Sequence, residues 1–330
     1  MTRYSALACL VFIAVGSSAL AQVRPVDRQA REVRALFDAG KFAELDAIEL
    51  KSRDLSVTLS DGQPLRVGYF AGLTCACGDR TREDQFNTIA RMNPAYQAWS
   101  KSNPGSRTAR LGPALYLLQH GLAFRGETYA QDVPRADWIA FQEKIEASRK
   151  ALDSIAAEMK DEPMWYAARL KVARYLQHGD KAAYEALLED AMTRHPRFLP
   201  IYFEGAAHYS SSWGGSSAEL KRYIESVAAR TKPLMGDVMY ARLNWSEGST
   251  GMFFNGQADW KRMKPALDEL VKDYPDDWNL NNFAVFSCHA GDGPTLKILL
   301  TRIQGRIALQ AWDGMEEYAK CAQFAERARG

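Results

Sequence analysis

The chain of 330 residues carries 42 Lys and Arg against 40 Asp and Glu, a formal charge of +2. That balance leaves no electrostatic footprint for nucleic acid, which needs a clustered basic face. Hydrophobic residues make up 47% and aromatic residues 11% of the chain, which excludes a disordered chain and supplies apolar surface for a large core. A chain of this length ordinarily divides into two domains, unless stacked repeats carry it as one continuous body.

The first residues read as an export signal. Arg3 gives a positive start, Ser5 to Val15 is an apolar run, and Ala19-Leu20-Ala21 is a small-x-small cleavage pattern. Residues 1–21 are therefore predicted to be a cleaved signal peptide, with the mature chain starting at Gln22. The apolar run is shorter than the about 20 residues that span a bilayer. Cys9 has no apolar region before it and does not fit a lipoprotein cysteine. Nothing later is apolar for long enough to cross a membrane, so the mature chain is expected to be soluble, in the periplasm or secreted. Arg3 is the only charge removed, which leaves 41 basic against 40 acidic residues.

From Gln22 onward apolar residues recur at three- and four-residue spacing and strand-like alternation is nearly absent, which predicts an all-α protein of about 14 or more helices. Asp27 to Ala39, with Val33, Leu36 and Phe37 on one face, and Phe42 to Leu50, with Phe42, Leu45, Ile48 and Glu49, form a helical hairpin about Gly40. Asp61-Gly62-Gln63-Pro64 punctuates before a short helix over Leu65 to Leu73, and Val57 to Leu59 has an extended character. Asp84 to Met92 and Pro94 to Ser100 are predicted as two helices. Ser106 caps a long helix reaching Phe124. Residues 22–130 make up this N-terminal helical region.

Residues 131–330 continue it as a repeat region. Pro134 to Met159 is the clearest helix, with Trp138, Phe141, Ile145, Leu152 and Ile155 in one stripe. Prolines then fall at 163, 196, 233 and 275, spaced by 33, 37 and 42 residues. Each is followed by an aromatic-bearing helix, a Gly-rich turn (Gly179-Asp180, Trp213 to Ser216, Gly251 to Gly256, Gly291 to Gly293) and a second amphipathic helix. This is the pattern of tetratricopeptide-like repeats, which predicts a helical-hairpin solenoid wound as a right-handed superhelix. A last helix, Gln310 to Ala328, is expected to cap the stack.

Four cysteines follow the signal segment, and export would place them in an oxidising compartment. Four cysteines allow three connectivities. Cys288 with Cys321 is the best pair, because 33 residues is about one hairpin repeat and brings equivalent helices side by side. Cys75-Ala-Cys77 could close only a very small, strained ring, and the C-x-x-C spacing of redox sites is absent.

Several of these residues together resemble a known family: Trp213-Gly214-Gly215-Ser216, Tyr240 to Leu243 with Trp245, Trp260, Tyr274-Pro275, Asn282 with Phe283-Ala284, Cys288, and Ala290-Gly291-Asp292. The chain is similar to the bacterial helical-repeat family catalogued as domain of unknown function 4034, over most of Asp27 to Trp312. Trp99 to Pro104, Ser106 to Arg110, Arg125-Gly126 and Tyr129-Ala130 are similar to its upstream half. The family's proline-arginine before Trp-Gly-Gly is replaced here by Ser211-Ser212. The resemblance implies fold and export-compatible architecture, and no activity.

Chemistry-bearing constellations are sparse. His120, His178, His195, His208 and His289 never stand four apart, so no helical zinc site is drawn, and no metal or cofactor is expected. His178 and His195 end helices, where a partial positive charge favours the helix dipole. There is no nucleophile elbow, Walker loop or dinucleotide fingerprint. Pairs such as Glu143 with Glu146, Asp276-Asp277 and Glu316-Glu317 read as surface charge rather than as carboxylates across a cleft. Ser216 or Ser217 reads as a cap for Ala218 to Ala229.

The one concentration with binding character runs from Tyr202 to Trp260. If a binding surface exists, it is expected where the Trp213-Gly214-Gly215 turn meets the helix carrying Tyr240, Arg242, Asn244 and Trp245, since aromatics and arginine dominate binding hot spots. Aromatic residues equally pack irregular hairpins, and Tyr240 and Asn244 share a face from which Arg242 points away, so only part of the set can line one groove. The function expected is a periplasmic or secreted module that binds a protein or peptide. The alternatives are a hydrolase of cell-wall glycan and, as a special case of the first, a neutraliser of an exported toxin.

Overall fold

The computed structural model describes residues 23–74, 81–176, 181–247 and 251–328. Among them are fifteen α-helices, three single 3-10 turns and no β-strand, the nearest to a strand being an isolated bridge between Thr58 and Pro64. The all-α expectation holds. The signal segment with its cleavage point, Cys75, Cys77, His178 and the Gly179-Asp180 turn lie outside the described residues.

Helices α1 (Pro25–Asp38) and α2 (Phe42–Ser52) form the expected hairpin, with Gly40 at φ +67° in the turn. Helix α3 (Leu65–Thr74) returns onto α1 so closely that a Cβ on Gly72 would stand 2.5 Å from the Ala30 carbonyl oxygen. Arg82 to Ser102 is a single helix, α4, where two were expected. Pro94 sits inside it, and Ile89, Met92, Tyr96 and Trp99 are buried on both sides of the proline. Packing of that stripe offsets the backbone bond that proline removes. Ser106 caps α5 (Arg107–Arg125) by accepting from Ala109 N.

Helix α6 (Arg135–Ser154) buries Phe141, Ile145 and Leu152 but stops short of Met159, because Ile155 leaves helical geometry and the chain turns. The chain continues as α7 (Pro163–Leu176), α8 (Lys181–Arg194), α9 (Leu199–Tyr209), α10 (Ser217–Met235), α11 (Val238–Glu247), α12 (Trp260–Asp273), α13 (Asp277–His289), α14 (Gly293–Ile303) and α15 (Met315–Arg327). Pro163 opens a helix, and Pro196 and Pro275 lie between helices. Pro233 lies within the last turn of α10 and stops nothing until Gly236 at φ +58°. The final helix is shorter than expected, since Asp313 and Gly314 both have positive φ and a right-handed helix cannot pass through them.

Beyond sequence neighbours, alternate helices touch: α3 packs on α5, α5 on α7, α7 on α9, and α9 on α11. One apolar cluster runs from Val33 to Ala325 through these contacts. Helices α5 and α6, on either side of residue 130, pack along each other.

Two polar ties also join distant segments. Arg66 is buried and pairs with Glu49 at 3.0 Å and with buried Glu162, while its Nη1 donates to Ser52 Oγ at 3.0 Å. Asp61 O accepts from Arg242 at 2.6 Å and from Asn279 at 3.2 Å, and Ser60 donates to Asp276 at 2.6 Å. The loop before α3 thus fastens the N-terminal helices to α11 and α13. At the other end Cys288 and Cys321 are at disulfide distance, with Cα atoms 5.7 Å apart, and tie α13 to α15 as expected. No helix among the described residues is long and apolar enough to cross a membrane.

Candidate binding cavity

A cavity of about 760 Å³ opens between α6, α7, α8, α9 and the turn that follows α9. Trp213, Gly214 and Gly215 line it. The turn is made by its own glycines. Gly214 adopts φ +86°, and a Cβ on Gly215 would stand 2.1 Å from the carbonyl oxygen of Tyr209, so only glycine permits the chain to fold back there. The backbone that approaches Gly215 closely is the chain's own, at Tyr209. Ser216 caps α10 by accepting from Glu219 N, as read from the sequence, and the helix extends beyond Ala229 to Met235.

The aromatic wall is built by stacking. Tyr184 and His208 lie nearly parallel with ring centres 3.8 Å apart, and Tyr209 meets His208 edge-on at 5.0 Å. The Arg174 guanidinium sits 4.2 Å from the Trp213 ring centre, and Tyr175 meets Trp213 edge-on at 5.0 Å. Arg174 also bonds Glu204 at 2.8 Å. Burial lowers the His208 pKa, and the neighbouring Lys181 and Arg174 lower it further against the opposing Glu185 and Glu219. The imidazole is therefore neutral at neutral pH.

Arg149, Arg169, Arg174 and Lys181 line the cavity with the carboxylates Glu146 and Glu219, and Asp153 and Glu204, behind the lining, pair with Arg149, Arg169 and Arg174. Arg149 binds Glu146 at 2.6 Å and Lys181 binds Glu219 at 3.1 Å, both pairs being substantially exposed. The Lys181 and Ser216 hydrogen bonds hold the Glu219 carboxyl below its usual range.

No family model, curated protein or solved structure matches this chain.

The other residues expected at a binding surface lie elsewhere. Tyr240 is buried, its hydroxyl accepts from Asp259 N at 2.9 Å, and Arg262 stacks on its ring at 4.0 Å. Arg242 is buried on Asp61 O, and burial lowers its pKa. Asn244 is buried and donates to Tyr240 O within its own helix at 2.9 Å. Trp245 lines a separate hollow beside Trp278. Of the seven residues, three share one cavity, three pack or fasten the fold, and one belongs to a second hollow.

Sequence reading did not place Arg149, Arg174, Lys181, Tyr184 or His208 at a binding surface, and weighed His208 only as a metal ligand. They come from four helices, and no spacing along the chain announces their convergence. The only signal was local: the adjacent pairs Arg174-Tyr175 and His208-Tyr209 each stand in the last turn of a helix.

His195 also differs from expectation. Its Nε2 bonds Lys160 O at 3.2 Å, and burial lowers its pKa, so it packs as a neutral ring rather than serving the α8 dipole as a cation. Among the described residues no group of three His, Cys, Asp or Glu could hold a metal ion.

Proposed function

We propose that the protein is an exported helical-hairpin repeat module that binds an acidic, aromatic-bearing peptide segment of a partner in the Trp213 cavity. The observation that carries this reading is the lining itself: the cations Lys181 and Arg149, held only in exposed ion pairs, set among Trp213, Tyr184, His208 and Tyr209. The volume lies within the roughly 300–1,000 Å³ of ordinary ligand sites. Exposed ion pairs such as Lys181–Glu219 contribute only about 0–1 kcal/mol, so a ligand carboxylate can replace Glu219 on Lys181 at small cost.

The contact of α3, α5, α7, α9 and α11 with alternate neighbours supports a tetratricopeptide-like solenoid wound right-handedly, and with it the resemblance to domain of unknown function 4034. The Cys288–Cys321 pair supports an oxidising compartment, in keeping with a signal peptide cleaved after Ala21. A glycan hydrolase would need a carboxylic acid with a raised pKa in the cavity, and Glu219 is shifted the other way. A toxin neutraliser would use the same cavity on one particular partner.

The test is calorimetric titration with an acetylated Glu-Tyr-Glu-Glu peptide beside its Gln-substituted counterpart. The wild type is expected to bind the acidic peptide at least tenfold more tightly, and Trp213→Ala to lose that binding while melting within about 3 °C of the wild type. Equal binding of both peptides, or unimpaired binding by Trp213→Ala, would overturn the reading. Mass spectrometry of the periplasmic protein checks export, with Gln22 as the expected first residue.

A further inference from the structure

A second hollow, of about 580 Å³, opens where the disulfide holds α13 beside α15. One wall is aromatic. Trp245 and Trp278 lie near-parallel with ring centres 6.1 Å apart, and Phe286 meets Trp245 edge-on at 5.7 Å.

Asp313, Glu316 and Glu317 also line the hollow, with His289 and Lys320, and these carboxylates are not equally engaged. Glu317 is bonded to His289 Nε2 at 2.5 Å, and Glu316 to Lys320 at 2.7 Å. Asp313 is exposed and lines the hollow, and among the described residues its carboxylate makes no hydrogen bond or ion pair. It is presented from a turn in which Asp313 has φ +48° and Gly314 φ +110°.

An indole face carries negative quadrupole charge and attracts cations, and a nearby carboxylate adds a directed partner. The chain itself makes this combination at Trp278. The Arg24 guanidinium lies 5.5 Å from the Trp278 ring centre while its Nε and Nη2 each donate to Asp27 at 2.8 Å. Guanidinium is favoured over ammonium at such a place because it is planar, stacks on aromatic faces and matches a carboxylate with two parallel bonds.

We propose that this hollow binds the arginine side chain of a partner peptide, with the guanidinium against the Trp245–Trp278 wall and paired with Asp313. The site is independent of the Trp213 cavity and opposite to it in charge preference.

The experiment uses the full mature chain with its disulfide intact and the probe acetyl-Gly-Arg-Gly-amide, followed by heteronuclear NMR of the tryptophan indole N–H signals. Saturable shifts at the Trp245 and Trp278 indoles are expected. The lysine analogue should bind severalfold more weakly, and the neutral, nearly isosteric citrulline analogue should not bind. Asp313→Asn removes the charge and keeps a residue that tolerates positive φ, so it should melt as the wild type does while weakening arginine binding at least fivefold. Trp213→Ala should leave arginine binding unchanged. Equal binding of the citrulline or lysine analogue, wild-type affinity in Asp313→Asn, or no saturable shift would each overturn the proposal.

Discussion

Two places in this molecule are built from the same materials with opposite outcomes. Around Arg66, one arginine, two glutamates and the Phe70 ring close into the interior, with side-chain exposures of 3% for Arg66 and 1% for Glu162. Around Trp213, arginines, glutamates and aromatic rings meet again, yet Lys181 remains 60% and Arg149 36% exposed. In the first cluster burial alone would lower the Arg66 pKa, and Glu162 and Glu49 overcome it and raise it. Every charge there is committed to the fold. In the second, Arg174 is buried on Glu204, but the Lys181 and Arg149 pairs stay in water, where they are weak and can be exchanged for a ligand's charge. Exposure, set by which helix faces converge, separates a structural cluster from a binding one; residue type does not.

The sharpest way to break that comparison is to remove one arginine from each. Arg66→Ala leaves Glu162 buried without its cation and Glu49 with only the half-exposed Arg53, and its urea-unfolding free energy is expected to fall by about 3–5 kcal/mol. Arg149→Ala, at an exposed pair, should change it by less than about 1 kcal/mol. Comparable losses in the two variants would remove the distinction.

The disulfide comes next in size. It closes a 33-residue separation and ties α13 to α15, neither of which carries a residue of either cluster. Its loss through the paired Cys288→Ala and Cys321→Ala variant should cost about 2–4 kcal/mol. Acidic-peptide binding at the Trp213 cavity should survive at temperatures below melting, since no cavity residue lies on α13 or α15.

Most of the fold was legible because helix periodicity and punctuation are local properties. The Ser106 and Ser216 caps, the Gly40 turn and the pairing of Cys288 with Cys321 each depend on a few residues or on one repeat length. The errors at Pro94 and Pro233 arose where tertiary packing overrode a local stop signal. The site was legible only in part, for a related reason. Trp213, Gly214 and Gly215 form one turn and could be read together, whereas Arg149, Arg174 and His208 come from three different helices. Tyr240, Arg242 and Asn244 looked like a recognition cluster because buried hydrogen bonding uses the same polar side chains as binding does. Asp61, the partner of Arg242, stands 181 residues away in the chain.

The smallest expected effect concerns pH, and it separates histidine burial from the ionic clusters. Burial lowers the pKa of His120, His195 and His208, with Lys144 adding to the shift at His120. The ordinary value in an unfolded chain is about 6.5. Below that value the unfolded chain gains protons that the folded chain resists, so it binds more protons and stability falls with pH. The loss should begin as pH drops through about 6.5 and level off once the lowered folded values are passed. Arg66, with its raised pKa, keeps its charge throughout that interval. His195→Gln keeps an N–H donor for Lys160 O and removes one titrating group. Its melting temperature should therefore decline less than that of the wild type between pH 7.5 and 5.5, while the two proteins stay parallel from pH 7.5 to 9. A wild-type melting temperature that is flat down to pH 5.5, or a variant that declines equally, would show that these rings do not titrate as buried neutral groups.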